Sequence, residues 1–150
     1  MDTTVEKWYV KYAWVIFFVI GLLNVLAAPI NLRGTPPNPP SPEGMTGLTL
    51  TEMNARIPGM FGYISSISRQ LGNLLLTMGV LLMGISAVPY KKGEKWAWYV
   101  CWIIPVFLII QLVNSRGGFG WQGDAVFLVV AVAGLLLPYR KFFPKEQDAP

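Results

Sequence analysis

Two ionisable side chains interrupt or border the long apolar stretches of this chain, Arg69 and Asp124. A guanidinium and a carboxylate in such surroundings can do one of two things. They can neutralise each other as a structural pair, or the guanidinium can stay partly free to hold an anionic or carbonyl headgroup. Asn73, Gln111, Asn24 and Trp121 are the candidates to surround them, supplying amides and an indole N–H. Arg116 is the rival partner for Asp124, nearer in sequence and more easily solvated. The same inventory excludes other chemistry. There is no histidine and Cys101 is the single cysteine, so imidazole-based haem, copper or zinc sites and a CxxC redox pair are ruled out within the chain. Cys101, beside Trp102 in an apolar run, reads as a small hydrophobe. With no second acid, nucleophile or base beside Asp124, no catalytic residue, cofactor or metal is assigned.

The elements that must position these residues are membrane helices. Of the 150 residues 53% are hydrophobic and 13% charged, where a soluble domain typically carries about twice that charged fraction. The organising stretch is the basic, aromatic turn Pro89-Tyr90-Lys91-Lys92-Gly93-Glu94-Lys95-Trp96-Ala97-Trp98-Tyr99, with apolar runs at 71–88 and 100–113 on its two sides. A short positive loop between two such runs is how spans are joined on the cytoplasmic side, with Trp and Tyr rings at headgroup level. Counting outward gives four spans, at about 10–28, 62–88, 96–113 and 121–138, in one all-α domain, a transmembrane four-helix bundle. Lys7, Lys11, Lys91, Lys92, Lys95, Arg140, Lys141 and Lys145 then share one side, which places both termini in the cytoplasm of a multi-pass cell-membrane protein. That distribution of the +4 net charge is topological and argues against nucleic acid. Trp8, Trp14, Trp96, Trp98 and Trp102 fall near the inner boundary and Trp121 at the outer one, as belt anchors do.

Along the chain, Pro29 is expected to end the first span. A cleaved signal peptide is the competing reading of residues 1–27, disfavoured by an apolar run that is too long and too aromatic. Residues 29–60 form an outer loop, with a Pro-rich run at 35–42 that suits extended coil. Thr49-Leu50-Thr51-Glu52 then has capping-box spacing and predicts a short helix to about Ile57, with Leu50, Met53 and Ile57 on one face. In the second span Ser65, Gly72, Gly79 and Ser86 recur every seven residues, a small-residue stripe for close helix packing. Arg69 lies about 40° around the helix from that stripe. Pro105 predicts a kink in the third span, 115–120 a glycine-rich outer turn, and 144–150 a disordered tail.

Three fragments carry a resemblance: Met45-Thr46 with Glu52, Asn54 and Pro58; Arg69-Gln70-Leu71-Gly72; and Lys92-Gly93-Glu94-Lys95-Trp96-Ala97-Trp98-Tyr99. Together, over roughly residues 45–143, they resemble small four-helix prokaryotic membrane proteins of the DoxX-like kind. The resemblance implies a four-helix membrane bundle. Named DoxX-type proteins are associated with thiosulfate–quinone oxidoreduction or redox-stress complexes, for which this chain supplies neither a thiol pair nor imidazole ligands.

Every strongly polar residue in or beside a span lies in the outer half, while the inner halves are apolar and small. The first functional expectation is therefore an accessory or scaffold subunit that pairs with other membrane subunits or with itself in the lipid bilayer. The alternative is a binder or carrier of a small amphipathic or lipid-like ligand in the outward polar pocket. An enzyme acting on a lipid or quinone through Asp124 or Arg69 stands behind both. A channel or pump would need a polar path through the inner half.

Overall fold

In the computed structural model, residues 8–34, 47–115 and 121–144 are described. The Pro-rich run, the glycine-rich turn at 116–120 and the tail from 145 lie outside them. The fold is all-α, with no strand among the described residues: α1 (Trp8–Leu32), α2 (Leu50–Arg56), α3 (Met60–Ile85) with a π-helical turn (Ser86–Tyr90), α4 (Lys95–Cys101), α5 (Ile103–Ser115), α6 (Trp121–Leu136) and α7 (Tyr139–Phe142). Three helical segments are long and apolar enough to cross a membrane, Trp8–Leu32, Met60–Tyr90 and Lys95–Asn114, and Trp121–Leu136 is a shorter apolar helix. Large apolar side chains stay exposed along them, such as Val106, Phe107, Ile109, Ile110 and Val113 on α5. Water would penalise such a surface, whereas lipid does not. This is a membrane protein.

The prolines behave differently from expectation, each for a local reason. Pro29 does not end α1, because a proline removes one N–H and the ladder resumes beyond it: Arg33 N–H donates to Pro29 O at 3.3 Å. The helix stops at Gly34, whose φ of 76° suits the left-handed cap and whose N–H donates to Asn31 O at 2.9 Å. Pro89 lies inside the second apolar segment rather than at the start of a loop. Having no N–H for the Ile85 carbonyl, the backbone widens to i→i+5, with Lys91 N–H donating to Ser86 O. The turn itself shrinks to Gly93-Glu94, with Gly93 at φ 83°. The break that Pro105 causes appears upstream, at Trp102, because its ring crowds the carbonyl four residues back.

Contacts divide the chain into two compact units, residues 1–21 with 81–150, and residues 22–80. In the first, Phe17, Tyr90, Ala97, Cys101, Ala131, Leu135 and Phe142 form a buried cluster. Phe17 and Phe142 flank Tyr90 with ring centroids 5.2 and 4.8 Å away. Gly134 allows the approach of α1, since a Cβ there would come within 3.1 Å of Phe17 and 3.2 Å of Ile16. In the second unit, α2 starts on the predicted capping box. Thr49 N–H donates to Glu52 Oε2 at 2.8 Å and Glu52 N–H donates to Thr49 Oγ1 at 3.2 Å. Asn54 Oδ1 accepts from Phe61 N–H at 3.3 Å, joining α2 to the first turn of α3.

Candidate functional site

Within the unit 22–80, the end of α1 lies against one face of α3. Gly72 makes that approach possible: a Cβ there would come within 2.8 Å of the Leu32 backbone nitrogen and 3.1 Å of the Ala28 carbonyl oxygen. The hydroxyl of Ser68 donates to Asn31 O at 3.2 Å, the carbonyl that also receives the Gly34 N–H. Ser65 and Arg69 both cover Gly34, with Arg69 Nε 3.0 Å from where a Cβ of Gly34 would stand. The guanidinium thus lies across the last turn of α1, where the helix dipole is negative. Asn31 donates through Nδ2 to Ala27 O at 3.3 Å, while its Oδ1 is buried without a partner. Arg69 itself is exposed and so can present its remaining donors outward.

The other predicted residues are spread over both units. Asn24 is half-buried on α1 and Asn73 exposed on α3, one turn after Arg69, all three within residues 22–80. Gln111 on α5 and Trp121 on α6 are exposed, and Asp124 is half-buried, all in the other unit. Asp124 lies in the first turn of α6, where a carboxylate favours the helix dipole. Ser65, Gly72, Gly79 and Ser86 are all buried. Asn31, Gly34 and Ser68 were not singled out from the sequence, although the spacing of Ser65, Ser68, Arg69 and Gly72 puts all four on one helix face.

A second constellation, also not anticipated, lies in the unit that holds the basic turn. Pro138 has no N–H for the Gly134 carbonyl, four residues earlier, and the last carbonyls of α6 lose their helical partners. Aromatic donors take them instead: Tyr90 Oη donates to Gly134 O at 2.6 Å, and Trp98 Nε1 donates to Leu135 O at 3.0 Å. Rings of Tyr99, Trp102, Tyr139 and Phe143 surround Trp98 with centroids 5.2–5.8 Å away. Over this aromatic layer sit cations, Lys91 Nζ 4.9 Å from the Trp14 ring centroid and Lys95 Nζ 5.6 Å from that of Phe143. The usable signal was a proline four residues after a glycine, with Tyr and Trp nearby in the hairpin.

Among the described residues no group of three His, Cys, Asp or Glu side chains could hold a metal ion. No protein-family model matches the chain, and neither curated proteins nor solved structures provide a match.

Proposed function

We propose that this chain is a four-span membrane bundle of the DoxX-like kind, with both termini cytoplasmic, that serves as an accessory or scaffold subunit of a membrane assembly. The carrying observation is the use made of its buried polar side chains. The hydroxyls of Tyr90 and Ser68 each close a carbonyl on another helix of the same unit, which is structural work. The large apolar side chains left exposed along the spans offer surface to lipid and to a neighbouring subunit alike. Native mass spectrometry of protein extracted in lipid tests the reading. A second membrane polypeptide, or a defined homo-oligomer, is expected at fixed stoichiometry, and a lone monomer overturns it. Orientation is tested separately: after Cys101→Ser, single cysteines at Ser41 and Lys92 should react with an impermeant thiol reagent from opposite sides.

One observation favours a second reading, that of a binder for a small amphipathic or lipid-like ligand. The exposed guanidinium of Arg69 offers donors to a polar headgroup at the helix end where Asn31 Oδ1 is buried without a partner. Asn73 and Asn24 belong to the same unit. Gln111, Trp121 and Asp124 belong to the other unit. Under this reading Arg69→Gln loses a co-purifying small molecule while the fold survives. Under the scaffold reading the same change lowers stability, because the guanidinium lies across the last turn of α1.

A further inference from the structure

We propose that Arg33 and Arg69, side by side at the end of α1, form a binding site for the phosphate of an anionic phospholipid. The site rests on the ligand-binder reading and names the charged group of the ligand. The unit 22–80 contains no lysine, and its cations are Arg33, Arg56 and Arg69. Glu52 is the one carboxylate among its described residues. Thr49 already holds that carboxylate, donating its N–H and its hydroxyl at 2.8 Å each. Among the described residues of the unit, neither Arg33 nor Arg69 is left a carboxylate to neutralise it.

The end of α1 brings the two arginines together. Arg69 Nε stands 3.0 Å from where a Cβ of Gly34 would be. Arg33 is the residue before Gly34, so their Cα atoms are about 3.8 Å apart. Both arginines are exposed, and a headgroup can reach their donors from the surface without a cavity. Two cations so close repel each other, and an oxyanion shared between them removes that cost. The negative end of the α1 dipole opposes an anion with roughly half a charge, which two full positive charges outweigh.

Depth in the membrane selects the source of the oxyanion. The stretch 12–32, which ends at Arg33, carries no charge and spans about 31 Å as a helix. The uncharged stretch 71–88, which begins just beyond Arg69 and Gln70, spans about 27 Å. Both match a hydrocarbon core of about 30 Å. Each arginine is therefore the first ionisable group past the hydrocarbon, at the level of the lipid phosphates. A single arginine at a span end reaches that level in any membrane helix. Two on adjoining helix ends can share one phosphate, and their planar forks fit its oxygens where a lysine offers only a point charge.

Native mass spectrometry of the full chain released from nanodiscs of equal phosphatidylglycerol and phosphatidylcholine tests the site. The wild type should retain phosphatidylglycerol preferentially. Arg33→Gln and Arg69→Gln should each weaken that retention roughly fivefold, and the two together roughly 30-fold. Arg56→Gln removes the same charge from α2 and should cost far less. If Arg69→Gln does not fold, Arg33→Gln against Arg56→Gln carries the comparison alone. Equal retention of both lipids by the wild type, or equal losses in Arg33→Gln and Arg56→Gln, overturns the site. Displacement of the lipid by millimolar inorganic phosphate overturns the lipid assignment in favour of the free anion. A molecule without phosphate that the wild type retains and Arg69→Gln loses overturns the phosphate assignment alone. If the wild type retains no molecule at all, the ligand-binder reading falls with it.

Discussion

Residues 31–34 and residues 134–138 both close an apolar helix whose backbone ladder has run out, and they use opposite materials. At 134–138 the donors are large and aromatic: Tyr90 and Trp98 reach the Gly134 and Leu135 carbonyls from a core of rings packed mostly edge to face. At 31–34 the donors are small: a serine hydroxyl and the N–H of a left-handed glycine share the Asn31 carbonyl, and Gly72 removes the side chain that would hold the helices apart. Bulk fills the first site by burying rings. The second works by letting backbones meet, and it leaves Asn31 Oδ1 buried without a partner. At the aromatic site the two helix-end carbonyls are closed off, although Trp102 Nε1 is buried without a partner, and at the small-residue site Arg69 stays exposed. Arg69, the candidate headgroup ligand of the second reading, lies at the small-residue end.

Substituting glycine tests the contrast most severely. Gly72→Leu should destabilise the protein by at least about 1–3 kcal/mol, because the first added atom meets Leu32 backbone that cannot move aside. A detergent melting curve unchanged from wild type would show that backbone contact is not what holds this end. Next comes Tyr90→Phe, which leaves the Gly134 carbonyl buried and unpaired and should cost about 1–3 kcal/mol. Pro138→Ala would return an N–H to that carbonyl, so in a double-mutant cycle the Tyr90→Phe penalty should shrink markedly. Additive effects would show that the hydroxyl does not substitute for the missing N–H.

Smaller changes sharpen the picture. The Glu52 carboxylate is held below its ordinary value of 4.5 by the Thr49 backbone N–H and, secondarily, by the Thr49 hydroxyl. A depressed carboxylate contributes stability above its unfolded value and loses it as pH falls through the folded one. The α2 amides should therefore lose hydrogen-exchange protection as pH drops below about 4.5, and Thr49→Ala should abolish that dependence. Smallest of all, Gly84→Ala meets nothing within 4 Å and should be neutral or stabilising by up to about 1 kcal/mol. A loss there comparable to that at Gly72 would mean that any glycine of α3 is sensitive.

Local signals were legible in the sequence and distant ones were not. Thr49 and Glu52 announce the start of α2 because a capping box is complete within four residues. The apolar runs announce the spans because length and composition suffice. Pro29 misled because its cost is a single hydrogen bond, which a membrane helix repairs one turn later, so the terminator was the glycine five residues on. The candidate residues Arg69 and Asp124 stood out by charge alone. What surrounds Arg69 depends on the end of α1 returning to α3, from Asn31 to Ser68, and no local pattern encodes that contact. The pins on α6 escaped for the same reason, since Tyr90 and Gly134 are 44 residues apart.

The widened turn at Ser86–Tyr90 gives the hairpin a fixed phase. A π-turn accommodates one residue more than an α-helical turn, and each residue advances the helix by about 100°. Deleting a single residue there would let the ladder revert to ordinary spacing and swing everything downstream by roughly that angle. Tyr90 would then face away from Gly134, and Lys91 away from Trp14. The length of this segment is therefore constrained together with its Pro89 and Tyr90.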